Sequence, residues 1–210
     1  GTQGADNGPS ISVYTNDDGI NAAKKSSVTY VYADEDEEKY TKTSASASNN
    51  SMTVYSGKVT VEIGDDQTHS VTLPNKGSSD TSITYSSDGD GIDCNGSFYA
   101  YGGTVIVYGA SSGSNSPIDI DNSKVIGAGA VVLEIGSQSM DEGSKTYNQP
   151  YVTYSSANVT SGKTLGITNS GTDYLAAKLG TITTKKSASY VFFSSPRLVS
   201  GTSYSLTADG

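Results

Sequence analysis

Apolar and polar residues alternate at period two in three glycine-bounded segments, 57–64 (GKVTVEIG), 103–109 (GTVIVYG) and 129–136 (GAVVLEIG). Alternation of this kind belongs to a strand with one buried face, with Val59, Val61 and Ile63 inward and Thr60 and Glu62 outward. Glycine at each end marks a corner where the chain bends tightly. Similar short runs predict strands at 28–33, 52–55, 59–63, 83–85, 98–101, 105–108, 125–126 and 131–135. No helix-period run of useful length is present, and Pro74, Pro117, Pro150 and Pro196 fall at expected turns.

Acidic turns recur between these strands: Asp17-Asp18-Gly19-Ile20-Asn21, Asp65-Asp66-Gln67-Thr68-His69, Gly89-Asp90-Gly91-Ile92-Asp93 and Asn115-Ser116-Pro117-Ile118-Asp119. They align at positions 18, 66, 90 and 116, in steps of 48, 24 and 26 residues. The implied unit is about 24 residues, with one copy near Lys42 lacking its acid, and a period in this range marks a solenoid or array. On this phase Val59 stacks on Ile83 and Val61 on Tyr85, while loops at 34–50 and 74–80 interrupt the register. From Tyr151 the period is lost, leaving short strands at 151–154, 164–168, 175–183, 190–193 and 203–206. An open solenoid end exposes strand edges, so the tail is the expected cap. The predicted architecture is all-β: parallel β-helix coils over 1–140 and a β cap over 141–210, packed together as one domain.

Composition agrees with stacked coils. Only 34% of the 210 residues are hydrophobic, fewer than a two-layer fold wants, whereas each coil of a solenoid buries its inward positions against its neighbours. A net charge of −9 and a pI near 4.4 argue against nucleic acid, which needs clustered cations; Arg197 is the sole arginine. The acidic run 34–38 reads as a solvated loop. Cys94 is the single cysteine, so no intrachain disulfide forms, and it reads as a small buried turn residue. His69 is the single histidine, and no metal-ligand spacing supports a zinc or Cys-His site. No apolar stretch reaches the length of a membrane span, and no signal peptide is seen. A start inside what reads as a repeat, with Tyr, Ser, Thr and Asn richness, suggests a processed, secreted or cell-surface bacterial chain.

Equivalent residues of successive coils lie one strand spacing apart, about 4.7–4.9 Å. Carboxylates held that close repel and raise each other's pKa. Calcium binds oxygens at about 2.3–2.6 Å, so two oxygens across one ion match the coil spacing. The candidate ligands are Asp17, Asp18, Asp65, Asp66, Asp88, Asp90, Asp93, Asp119 and Asp121. Taken singly, each Asp-Gly is an ordinary turn former; three acidic turns in register favour calcium. An EF-hand is excluded, because Tyr99 stands where its bidentate acid belongs.

Several segments resemble a bacterial family of secreted carbohydrate-binding β-helix proteins: 17–22, 87–96 (SDGDGIDCNG), 101–109 (YGGTVIVYG), 117–121, 136–140 and 194–204. The resemblance covers most of the chain and is most specific over 88–109. It implies a right-handed parallel β-helix similar in shape to pectate lyases, calcium held by corner aspartates, and binding to plant cell-wall polysaccharide. The chain departs from the family pattern at Gln67 and Thr68, where Gly-Ile is usual, and around 42–46, where the acidic turn is missing.

Three functions compete. A non-catalytic carbohydrate-binding module would stack sugar rings on tyrosines, with Tyr108, Tyr30, Tyr32, Tyr99 and Tyr101 as candidates, and calcium could bridge to acidic sugars such as galacturonate. Strand packing is the ordinary role of each tyrosine taken alone. A structural protein would pair coils head to tail into a filament or surface layer, as a homo-oligomer. An enzyme is disfavoured: a lyase wants a base beside its calcium, Arg197 lies in the tail, and acids committed to metal cannot donate protons.

Overall fold

The structure, a computed structural model, describes residues 8–15, 17–22, 27–34, 37–43, 50–64, 69–72, 82–85, 89–111, 115–175 and 182–209. Among them every regular element is a β-strand. The chain runs through β1 (Ser10–Thr15), β2 (Ile20–Ala22), a hairpin of β3 (Ser27–Asp34) and β4 (Glu37–Thr43), then β5 (Ser51–Val54). A second circuit follows with β6 (Lys58–Ile63), a hairpin of β7 (His69–Thr72) and β8 (Ser82–Tyr85), β9 (Ile92–Cys94) and β10 (Ser97–Ala100). The third is β11 (Thr104–Tyr108), β12 (Ile118–Ile120) and β13 (Ser123–Ile126); the fourth is β14 (Val131–Gly136) and β15 (Ser144–Tyr147). The tail adds β16 (Tyr151–Tyr154), β17 (Thr164–Asn169), β18 (Thr172–Asp173), β19 (Ile182–Thr183), β20 (Tyr190–Ser194) and β21 (Ser205–Ala208).

Three sheets are visited in the same order on the first three circuits, and the fourth adds a strand to the first and third sheets alone. The first is β1-β6-β11-β14, the second β2-β9-β12 and the third β5-β10-β13-β15, all parallel. Parallel pairing in register places like residues in rows across the coils: Val13, Val61 and Val107 in the first sheet, Ile20, Ile92 and Ile118 in the second, Val54, Ala100 and Ile126 in the third. These rows point at one another and form a single apolar cluster, with Cys94 wholly buried among them. Cys94 therefore sits in a strand, between Ala22 and Ile120, and not in a turn.

The expected phase of the repeat needs correction. Val59 pairs with Ile11 and Val105, not with Ile83, which belongs to the β7–β8 hairpin opposite Val71; Tyr85 likewise pairs with His69. The strand at 28–33 forms β3, and Lys42 lies opposite Val28 in the same hairpin, so no coil corner has lost its acid there. Hairpin insertions in the first two circuits, not extra coils, fill the 72 residues that separate Asp18 from Asp90, which occupy neighbouring coils. Asp65, Asp66 and Asp88 lie outside the described residues.

Strand β6 alternates between half-buried and buried positions as expected, but β11 and β14 are buried along their whole length. Outward rows turn apolar at the third coil: Ser12 and Thr60 give way to Ile106 and Leu133. The tail covers this face. Strand β20 adds antiparallel to β14, placing Phe192 and Tyr190 in the inner cluster and Val191 and Phe193 in an outer one with Ile106, Leu133, Leu165, Ile167 and Leu175. The cap thus clasps one flank as well as the end, which is why these two strands need apolar residues on both faces.

Removing a buried outward side chain should tell this clasp from an exposed face. Leu133→Ala is expected to cost about 2–4 kcal/mol in denaturant unfolding, whereas Thr60→Ala in the same row should stay within about 0.5 kcal/mol.

Candidate functional site

The Asp-Gly-Ile motif builds one corner of the coil, just before β2 and β9. Glycine is required because the coils approach closely: a Cβ on Gly19 would lie 2.2 Å from Val61 Cγ1, and one on Gly91 2.1 Å from Val107 Cγ1. The isoleucine that follows, Ile20 or Ile92, starts the inward row. The aspartate has a backbone partner. Asp18 Oδ1 accepts the amide N–H of Asp90 at 3.0 Å, and Asp90 Oδ1 accepts that of Ser116 at 2.6 Å. Each carboxylate therefore tethers the next coil, and the ladder ends at Ser116, whose hydroxyl donates to the Ile118 carbonyl at 2.8 Å.

A second row runs beside it on the outer face of β2-β9-β12, where Asn21, Asp93 and Asp119 stand in register. Asn21 joins the rows: its Nδ2 donates to Asp18 Oδ2 at 2.6 Å and to Asp93 Oδ2 at 2.8 Å. Of the nine candidate ligands, Asp18, Asp90, Asp93 and Asp119 are brought together, and Asp121 follows β12 close enough to act on Asp93 and Asp119. Asp17 is exposed, with its own N–H turned to Thr15 Oγ1 at 3.2 Å. Among the described residues no three His, Cys, Asp or Glu side chains already converge as an ion cage.

The corner is electrostatically loaded. Burial pushes Asp90 up to about 6, opposed by the Ser116 N–H and reinforced by Asp119, Asp18 and Asp93. Burial also raises Asp93, with Asp18 and Asp121 adding to it, and raises Asp119, with Asp93 and Asp121 adding. A proton or a cation relieves this repulsion, and Asn21 relieves part of it by donating to two carboxylates at once.

The aromatic candidates divide. Tyr108, expected outward, is 7% exposed and packs in the outer cluster against the tail, which removes it as a sugar platform. The side chains of Tyr30 and Tyr32 lie outside the described residues. On the outer face of the third sheet, Tyr101 stacks with Tyr99 and with Tyr55, both at 5.8 Å between ring centroids and with interplanar angles of 13° and 27°. Tyr55 is 69% exposed. Sequence reasoning missed Tyr55 and Asn21, yet a signal for Tyr55 was present: 51–55 (SMTVY) and 97–101 (SFYAY) place tyrosine at the same step after the strand. In the next coil that step is Gly127, where a Cβ would come within 3.1 Å of the Tyr101 ring.

Comparison of the chain with protein-family models, with curated proteins and with solved structures finds no match.

A carboxylate whose folded pKa is raised binds its proton more tightly folded than unfolded. Stability then falls as pH rises from the unfolded value of 3.8 through about 6. In chelator, thermal melts of the protein should show this fall, and Asp90→Asn, which keeps an acceptor for the Ser116 N–H, should flatten it. The variant is expected to gain roughly 1–2 kcal/mol at neutral pH after solvent screening.

Proposed function

We propose that the chain is a secreted, non-catalytic carbohydrate-binding protein: a right-handed parallel β-helix, stabilised by calcium at its acidic corner, that binds plant cell-wall type polysaccharide. The observation that carries the reading is the stack of the exposed Tyr55 on the half-buried Tyr101 and Tyr99 along one flank of a parallel coil. Tyrosine offers a sugar ring an apolar face with a polar edge, at little conformational cost because packing already fixes the rings. Its neighbour, the second sheet, carries the acidic rows.

Asp18, Asp93, Asp90 and Asp119 would hold the ion. Asn21 Nδ2 supports the fit, since it lies 2.6 and 2.8 Å from two carboxylate oxygens in the place a cation would take. Calcium would supply charge neutralisation between coils and a bridge to acidic sugars such as galacturonate. Asp18 and Asp90 each spend one oxygen on a backbone N–H, and the second oxygen of Asp18 is held by Asn21 Nδ2, which an ion would displace. The same engagement argues against either acting as a proton donor, and Arg197 stands beyond β20, in the tail.

The structural alternative, head-to-tail assembly into a filament or surface layer, has one favourable observation. Among the described residues β1 pairs with β6 alone, and Ile11 and Tyr14 beside that free edge are 51% and 67% exposed.

Retention on insoluble polygalacturonate, with and without chelator, tests the first reading. Tyr55→Ala with Tyr101→Ala should lower affinity at least about tenfold, since stacked aromatics are each worth about 0.5–1.5 kcal/mol and more when an anchor is lost. Retention unchanged by both the double variant and chelation would reject it. Growth of particle size with protein concentration, lost on Ile11→Lys, would favour the filament instead.

A further inference from the structure

The apolar inner rows break twice in succession, once at the end of the third circuit and once at the start of the fourth. Where Met52 and Phe98 stand in the third sheet, the following residue is Lys124; where Val61 and Val107 stand in the first, the following residue is Glu134. Asp141, in the segment between β14 and β15, completes a triad. Lys124 Nζ is 2.6 Å from Glu134 Oε1 and 2.9 Å from Asp141 Oδ2, with side chains 1%, 0% and 2% exposed. Phe192 lies beneath the amine, its ring centroid 5.4 Å away, and Tyr147 and Tyr190 complete an aromatic wall.

An ordinary ion pair does not account for this arrangement. Two carboxylates share one ammonium in the interior, and neither oxygen of Glu134 nor Oδ1 of Asp141 has a hydrogen-bond partner of normal geometry. Burying charge in that state is costly, and joining Lys124 to Asp141 would remove two of the three charges, leaving Glu134, which burial already pushes toward its neutral form.

We propose that Lys124 and Asp141 condense into an intramolecular amide, with Glu134 as the proton shuttle. Lys124 gives a proton to a carboxylate, and its free amine attacks Asp141 Cγ. That carbon lies one bond beyond an oxygen already 2.9 Å away, near the range of about 3–3.5 Å in which bound groups react. Glu134, at 2.6 Å, takes the first proton and donates it to the departing oxygen, then recovers a second from the new amide nitrogen and passes it to the same oxygen, which leaves as water while Glu134 returns to a carboxylate. The C–N bond forms, one C–O bond breaks and one water leaves; the ammonium and carboxylate supply all atoms, so no oxidant or co-reactant is needed.

The two acids have distinct settings. Asp141 Oδ2 is faced by Ser139 Oγ at 3.3 Å and Lys145 Nζ at 3.9 Å, donors that would steady negative charge growing on that oxygen during attack. Burial above all raises Glu134, against the pull of Lys124 and the weaker pull of Lys145, which suits a group that both takes and gives a proton. It is also fixed in strand register between Val107 and Phe192, whereas Asp141 lies outside the strands, where the chain can follow a shortening contact. Lys124 is held charged by Glu134 and Asp141 against its own desolvation, so proton transfer is the expected slow step. In a chain with one cysteine this bond would close the 17-residue loop that no disulfide can close.

Intact-mass spectrometry of the purified, folded full chain is the test. The expected mass is one water below that of the sequence, with a branched peptide joining the Lys124 and Asp141 segments after digestion. Glu134→Gln, which leaves Lys124 paired with Asp141, should fold and keep the full mass, as should Asp141→Ala. Wild-type protein at full mass after prolonged incubation would overturn the proposal. So would a deficit that survives Asp141→Ala, or a digest containing Lys124 and Asp141 only in separate linear peptides.

Discussion

Parallel pairing in register is the constraint on which the rest depends. Because each strand of the three sheets repeats its alignment from coil to coil, a residue is judged by those directly before and after it in the row. Val13, Val61 and Val107 satisfy one another by shape, and Gly19 and Gly91 let the backbone pass beneath those valines. A residue that breaks a row must be answered from another row close by, in the same coil or the next. Glu134 follows the valines and Lys124 follows Phe98, and the two charges meet at 2.6 Å across the interior. Neither substitution would be tolerable alone, since an unpaired buried charge is among the most destabilising changes a core can suffer.

The tail reads the same rows from outside. Over the first two coils the outward positions of the first sheet are Ser12, Tyr14, Thr60 and Glu62, which suit water; over the next two they are Ile106, Tyr108, Leu133 and Ile135, which do not. The cap settles where the apolar area is, so its position on the flank follows from four side chains and not from the end of the coil alone. Among the described residues, exposed side chains remain on the outer face of the early coils, at Tyr14, and on the tyrosine flank, at Tyr55.

Strands were legible in the sequence because alternation survives in short segments; 52–55, 59–63, 98–101, 105–108, 131–135, 151–154 and 190–193 all fall on observed strands to within a residue or so at each end. The phase was not legible. Hairpins β3–β4 and β7–β8 carry strand-like alternation of their own, and the 72 residues they help to fill between Asp18 and Asp90 happen to be a multiple of the inferred unit. Local pattern cannot say whether a strand pairs antiparallel with its neighbour or parallel with a strand of the next coil. The double burial of β11 and β14 could have been suspected from their unbroken apolar character beside the alternating β6. The Lys124 triad could not, because its oddity is visible only once a row shows Phe98 on one side of it.

The acidic corner and the buried triad answer one problem in two ways. Stacked coils bring like side chains to one strand spacing, so a charged residue that repeats must be neutralised or interrupted. Outside, both rows are interrupted: Asp18 and Asp90 are followed by Ser116, and Asp93 and Asp119 are preceded by Asn21, so charge never persists through three coils. The residual repulsion, seen in the raised pKa of Asp90, Asp93 and Asp119, faces solvent, where an ion can reach it. Inside, no ion arrives from water, and the negative charge of Glu134 and Asp141 is met by the buried Lys124, with the half-exposed Lys145 further off at 3.9 Å from Asp141. A chain that solves the exposed case with reversible partners is driven, in the sealed case, toward a linkage that removes the charges of Lys124 and Asp141 and leaves Glu134 to hold a proton.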